Sequence, residues 1–237
     1  MPVKENYIVR NMTLDEVKNV AVEWAAEEGW NPGLHDADVF YNTDSDGFFI
    51  GLLNNEPISC ISAVSYGKDF GFIGFYIVKP EYRKEGYSIK LCSKAIKHLA
   101  TQNIGLDGVV EQQENYKKIG FKIAYRNIRY EGITKLNRTK HKEIKKISEI
   151  DFSLIQEYDL NLFPAERSDF LKEWLSMPES NSLAVISGNK VTGYGMIRKC
   201  RKGFKIGPLF ADTEGIAGKL LESLISMVEP GEQYYLD

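Results

Sequence analysis

Residues Arg83-Lys84-Glu85-Gly86-Tyr87-Ser88 follow an apolar run, FIGFYIV, and precede Ile89, Leu91, Cys92, Ala95, Ile96 and Leu99 at helical spacing. A helix that opens at Gly86 leaves its first backbone N–H groups without intrahelical partners. The missing side chain also lets a ligand approach the main chain. The helix dipole and the charges of Arg83 and Lys84 favour an anion there, a diphosphate over a single carboxylate. Gly86 and the small Ser88 supply clearance. The same residues also suit an ordinary strand-to-helix turn with a solvated charge run, because short glycine motifs recur without function.

The elements that would position this turn are legible on both sides of it. A strand, NYIVRNM, leads to a helix with Thr13 and Asp15 at its start and Leu14, Val17, Val20, Val22 and Trp24 along it, ended by Gly29. The runs GFFIGLLN, PISCISAVSY and FGFIGFYIV read as strands joined by the short turns NNEP and YGKD, as in antiparallel hairpins. The face carrying Ile89, Leu91, Cys92, Ala95, Ile96 and Leu99 is expected to pack on the sheet. IGLDGVV then reads as a strand, QQENYKKIGF as a short helical segment and KIAYRNIRY as a last strand. Polar TKLNRTKHK predicts a linker over 134–142 between a first domain, 1–133, and a second, 143–237. Beyond it the pattern repeats. A displacement of about 133 residues aligns Ile58 with Val191, Gly71 with Gly203, Phe72 with Phe204 and Gly74 with Gly207. The register then slips by about four, so that Leu91 matches Leu220; the second copy has lost length at the charged turn. The fold class expected is α/β (α+β), two tandem domains each with a mixed, mostly antiparallel sheet flanked by helices, the second degenerate or incomplete.

Composition narrows the function. The chain of 237 residues is 43% hydrophobic, enough to bury one large core or two small ones. With 30 Lys and Arg against 33 Asp and Glu, the net charge of −3 predicts no nucleic-acid partner. No apolar run approaches the roughly 20 residues that span a bilayer, and the N-terminal stretch lacks a secretory apolar core, so no membrane partner and a cytoplasmic location are expected. Cys60, Cys92 and Cys200 lack CxxC spacing and are expected to be reduced thiols, with no metal site.

The strand FYIVKPEYR followed by RKEGYS, on this element order, resembles the acetyl-CoA-binding motif of the GNAT superfamily of N-acetyltransferases, Gln/Arg-x-x-Gly-x-Gly/Ala. Ser88 departs from the last position. The resemblance implies that acetyl-CoA is the cosubstrate, with Arg83, Lys84, Glu85, Gly86, Tyr87 and Ser88 around its diphosphate and the main chain of Ile77 and Val78 along its pantetheine arm. YKKIGF is similar to a second family feature, a tyrosine four residues before a Gly-Phe pair. It implies that Tyr116 lies near the CoA sulfur and protonates the departing thiolate, with Asn115 beside the pantetheine amides. The phrases PGLHDADVF, GLDGVVEQQENYKKIGF and YRNIRYEG resemble a tandem, YitH-like subgroup, and PAERSDFLKEWL and GFKIGPLFAD resemble its C-terminal GNAT-like domain. The second copy, FADTEGIAGKLL, lacks the Arg-x-x-Gly turn and is not expected to hold CoA in the same way.

The implied reaction is direct transfer of an acetyl group to a primary amine of a small molecule or peptide. It needs a neutral amine, a polarised carbonyl and a proton for the thiolate. Main-chain N–H groups near Ile77 and Val78 would polarise the carbonyl. Glu111 and Glu114 are the candidate bases. In the family the segment after the first helix lines the acceptor pocket, which points to Trp30, His35, Asp36 and Asp38, aromatic and acidic as a cationic amine requires, together with Tyr76. A CoA-binding regulatory or scaffold protein without turnover, and transfer of a longer acyl chain, remain alternatives. A homodimer is a further expectation, since an incomplete final sheet leaves an edge for pairing.

Overall fold

The computed structural model describes residues 6–100, 103–135 and 141–236, so residues 136–140 of the expected linker lie outside the described residues. The chain divides into two units, one formed by Met1–Glu28 and Phe40–Ile128, the other by Gly29–Val39 and Arg129–Asp237. Among the described residues no helix is long and apolar enough to cross a membrane.

The first unit begins with β1 (Tyr7–Asn11). Thr13 then caps a helix by a reciprocal capping box with Glu16: α1 (Leu14–Glu16) runs through a π-helical stretch, Val17–Val22, into α2 (Glu23–Glu27). The π turn widens the helical repeat, which is why Val17, Ala21, Val22 and Ala25 are buried and Val20 only partly so. After α3 (Asp36–Thr43) come β2 (Phe48–Leu53), β3 (Glu56–Tyr66) and β4 (Phe70–Val78). Asn54 and Asn55, both at positive φ, make the tight turn between β2 and β3 that asparagine tolerates. α4 (Tyr87–His98), β5 (Asn103–Leu106) and α5 (Gln113–Lys118) follow. The sheet order is β1-β2-β3-β4-β5, antiparallel except for the parallel pair β4–β5. Leu91, Ala95 and Leu99 of α4 pack on Phe49, Ile61, Ala63 and Ile73. Ile89, expected on that face, is 70% exposed. Two residues from Leu91 it is turned some 200° around a helix of 3.6 residues per turn.

The second unit repeats the plan with β7 (Ile144–Lys146), α6 (Phe152–Asp159), α7 (Ser168–Leu175), β8 (Ser180–Ser187), β9 (Lys190–Lys199), β10 (Phe204–Ala211), α8 (Glu214–Ile225) and β11 (Gln233–Leu236). Leu220, Leu224 and Val228 pack on Leu183, Val185, Ile197 and Ile206. β10 and β11 are parallel, as β4 and β5 are.

Two expectations about the halves are corrected. Of the stretch read as the first domain's last strand, residues 122–129 form no strand. β6 (Tyr130–Ile133) pairs antiparallel with β11, so the second sheet runs β6-β11-β10-β9-β8-β7 and is closed on that side by chain from before the linker. The boundary at 133 therefore moves to 128/129. The segment Gly29–Val39, expected within the first domain, belongs to the second unit.

Candidate functional site

The site grows from an irregularity in β4. Cys60 faces Ile77 and Ser62 faces Gly74, so Phe75 and Tyr76 stand opposite Ile61 alone, a β-bulge. Phe75 has φ +45°, a conformation that bulky residues avoid, and its carbonyl accepts the Cys60 thiol at 3.3 Å. β5 pairs with β4 only as far as Ile73, so past that point the outer edge of β4, including Ile77 and Val78, has no strand partner among the described residues. Ile77 is buried and Val78 half-buried.

Beyond β4 a short 3-10 turn, Pro80–Tyr82, delivers the charged segment. Lys84 (φ +66°) and Gly86 (φ +89°) are both left-handed, and Gly86 occupies the N-cap position of α4. No side chain caps this helix. Arg83, Lys84 and Glu85 are exposed. Arg83 donates from Nε to the Val78 carbonyl at 2.8 Å and pairs with Glu28 at 2.5 Å. Tyr87 contributes main chain only: its ring is 1% exposed against Tyr7, with centroids 4.8 Å apart. Ser88 offers its carbonyl to the Tyr76 hydroxyl at 3.0 Å, which ties the bulge to the first turn of α4.

Tyr116 lies over the main chain of Gly108, where an added Cβ would stand 2.5 Å from its ring, and edge-on to Phe121. Burial first, and then the neighbouring Cys92, push the Tyr116 phenol above its ordinary pKa. Tyr76 is raised for the same reasons in the same order. The two phenols thus share one thiol as neighbour. Cys92 was not singled out from the sequence as a site residue; its signal is its place one helical turn after Ser88. Glu111 is exposed. Glu114 is also exposed and binds Lys117 at 2.6 Å; that hydrogen bond and the charge lower its pKa and make it a weaker base. Asn115 donates to Gln112 at 2.8 Å.

Within the segment expected to receive the amine, Asp36 has another partner. Asp36 is 4% exposed, takes Arg198 in two hydrogen bonds of 2.8 and 3.1 Å, and accepts the Gly33 N–H at 2.9 Å. Its expected contact with a cationic substrate is corrected to a structural ion pair within the second unit, because the carboxylate is buried and its charge is already met by Arg198. His35 pairs with Glu179 at 3.0 Å, the Trp30 carbonyl accepts Lys205 at 3.0 Å, and Asp38 is half-buried.

The second unit has a similar bulge one residue earlier in the repeat, where Gly207 and Pro208 stand opposite Met196 alone, and it differs at both ends of the motif. Pro208, at the position of Phe75, has no N–H to offer. The Gly207 carbonyl is taken by Arg198 at 3.1 Å and by the Trp174 indole at 3.3 Å. Thr213 caps α8 through Ile216 N–H at 3.3 Å, where α4 has no side-chain cap.

Residues 16–121 match the model of the acetyltransferase (GNAT) family, and residues 155–237 match that of an acetyltransferase (GNAT) domain. A protein called holothin acyltransferase, from Pseudoalteromonas sp. (strain SANK 73390), is 33% identical over 215 residues, 91% of this chain and 73% of its own. The chain belongs to the GNAT acetyltransferase family. Both copies of this tandem GNAT protein thus match family models, although only the first keeps the turn. The uncharacterized N-acetyltransferase YitH of Bacillus subtilis (strain 168) is 26% identical over 183 residues, covering 75% of this chain and 64% of its own length. The crystal structure of an acetyltransferase candidate from Pyrococcus horikoshii covers 99% of this chain and 81% of its own with a TM-score of 0.79; at 20% identity that likeness concerns the fold.

Proposed function

We propose that the first unit transfers an acetyl group from acetyl-CoA directly to a primary amine of a small molecule or peptide. The observation that carries this reading is the contrast between the two helix starts: α8 is capped by Thr213, whereas α4 begins at left-handed Gly86 with no side-chain cap, beside Arg83 and Lys84. A helix start so arranged favours a phosphate group. The diphosphate would lie over residues 83–88, and the arm would run along the open edge of β4 at Ile77 and Val78. The thioester would end between the bulge and Tyr116.

Within that arrangement the bulge gives a main-chain N–H a direction that a regular ladder does not, so it can polarise the thioester carbonyl. Tyr116, with its pKa raised by burial, stays protonated at neutral pH and supplies the thiolate with a proton. Glu111 is the remaining candidate base, acting through water.

A second reading, transfer of a longer acyl group, draws support from the relative named as an acyltransferase. Calorimetric titration tests the cosubstrate. Acetyl-CoA should bind the wild-type protein and fail to bind Gly86→Glu, which blocks the turn by size and charge. Absence of binding to folded wild-type protein would return these residues to an ordinary turn and favour a scaffold without turnover. Acetyl-CoA and longer acyl-CoAs compared as donors to an amine panel then separate the two transfer reactions.

A further inference from the structure

The second unit has a half-open cleft of about 480 Å³ that the transfer reaction does not use. It is lined by Ile147 and Phe152 after β7, Leu175 at the end of α7, Ser182 on β8 and by Lys146 and Lys172. Its volume falls within the roughly 300–1,000 Å³ of small-molecule sites. Among the described residues that line it, none is Asp or Glu.

The internal repeat shows how the cleft arises. Ala63 faces Ile73 in the first sheet as Ile197 faces Ile206 in the second, which sets Ser62 against Met196 and their cross-strand partners, Phe48 and Ser182, in equivalent positions. Phe48 is fully buried, with the ring of Tyr41 5.8 Å away. Tyr41 stands seven residues before Phe48, and Leu175 stands seven before Ser182. Two aromatic rings in one copy are therefore a serine and a leucine in the other, partly offset by Met196 in place of Ser62. The Ser182 hydroxyl is buried without a hydrogen-bond partner among the described residues.

We infer that this cleft of the second unit is a binding site for a medium-chain aliphatic carboxylate, its tail among Ile147, Phe152 and Leu175 and its head group toward Lys146 and Lys172. The charge of the lining selects an anion. The apolar walls select an alkyl chain over a sugar or a nucleotide. The site is separate from the acetyl-CoA turn and stands or falls independently of it.

The test is titration of the full chain with octanoate, octylamine and octanol, in wild type, in Lys146→Glu/Lys172→Glu and in Ser182→Phe. The last restores the residue of the first copy and fills the space, while the charge reversals touch only exposed side chains and keep the experiment decisive should the filled variant misfold. Octanoate should bind wild type at least tenfold more tightly than octylamine, weaken at least tenfold on charge reversal and be lost in folded Ser182→Phe. No octanoate binding to wild type, equal binding of octylamine, or affinity unchanged by the charge reversal would each overturn the inference.

Discussion

Replacing Asp36 by Asn separates the structural reading of that residue from the substrate-binding one. The Asp36 and Arg198 side chains are 6% and 9% exposed, so the substitution leaves a guanidinium buried without its counter-charge. Removing one partner of a buried pair costs about 3–5 kcal/mol. The lower end applies, because Arg198 keeps the Gly207 carbonyl at 3.1 Å and lies over the Trp174 ring at 4.5 Å. About 3 kcal/mol is roughly a hundredfold in the opening equilibrium, since 1.4 kcal/mol is about tenfold. Native-state hydrogen exchange should show it as faster exchange across β9 and β10, with the amides of β2 and β3 unchanged. Asp36→Leu/Arg198→Met should regain much of the loss, because no charge is left buried. Unchanged protection in β9 and β10, together with a raised KM for the amine, would refute the argument and return Asp36 to the acceptor site.

If Tyr116 protonates the thiolate, Tyr116→Phe should lower kcat by about 10²–10⁴ with little change in acetyl-CoA affinity, read by steady-state kinetics beside calorimetry. Glu28→Gln should tighten acetyl-CoA binding by up to about fivefold and lose its effect in high salt, since an exposed pair such as Arg83–Glu28 is worth about 0.2–1 kcal/mol. Glu16, held by Arg10 and then by the Thr13 N–H, has its pKa lowered to about 2. A depressed carboxylate stabilises the fold above its unfolded pKa and loses that contribution as the pH falls through its folded one. Wild type should therefore lose stability between the ordinary glutamate range and about pH 2 more steeply than Glu16→Gln, measured by urea denaturation at stepped pH.

The parts of the fold that local chemistry dictates were legible in the sequence. Asn54-Asn55 turns the first hairpin, the apolar runs of β2, β3 and β4 mark the sheet, and Gly86 marks the start of α4. What could not be read depends on partners far along the chain. Nothing near Tyr130–Ile133 encodes β11, about a hundred residues on, and a strand with a free choice of edge looks the same in either sheet. Asp36 looked like an amine ligand because Arg198, 162 residues away, is invisible to local reading. Similarly, the bulge at Phe75 is a matter of register across β3, which apolar alternation does not report.

The discontinuous second unit also sets an order on synthesis. A ribosome adding roughly 5–20 residues per second makes Arg198 some 8–30 s after Asp36, the 162 residues between them being the delay. Small domains fold in microseconds to seconds. The first sheet, whose strands are all made by residue 106, thus has time to form while the segment 29–39 is still without its partners. For that interval the nascent chain carries Asp36 without Arg198 and the segment 29–39 without the strands of its unit. Slowing elongation downstream of residue 128 would lengthen the exposure of this segment without altering the mature protein.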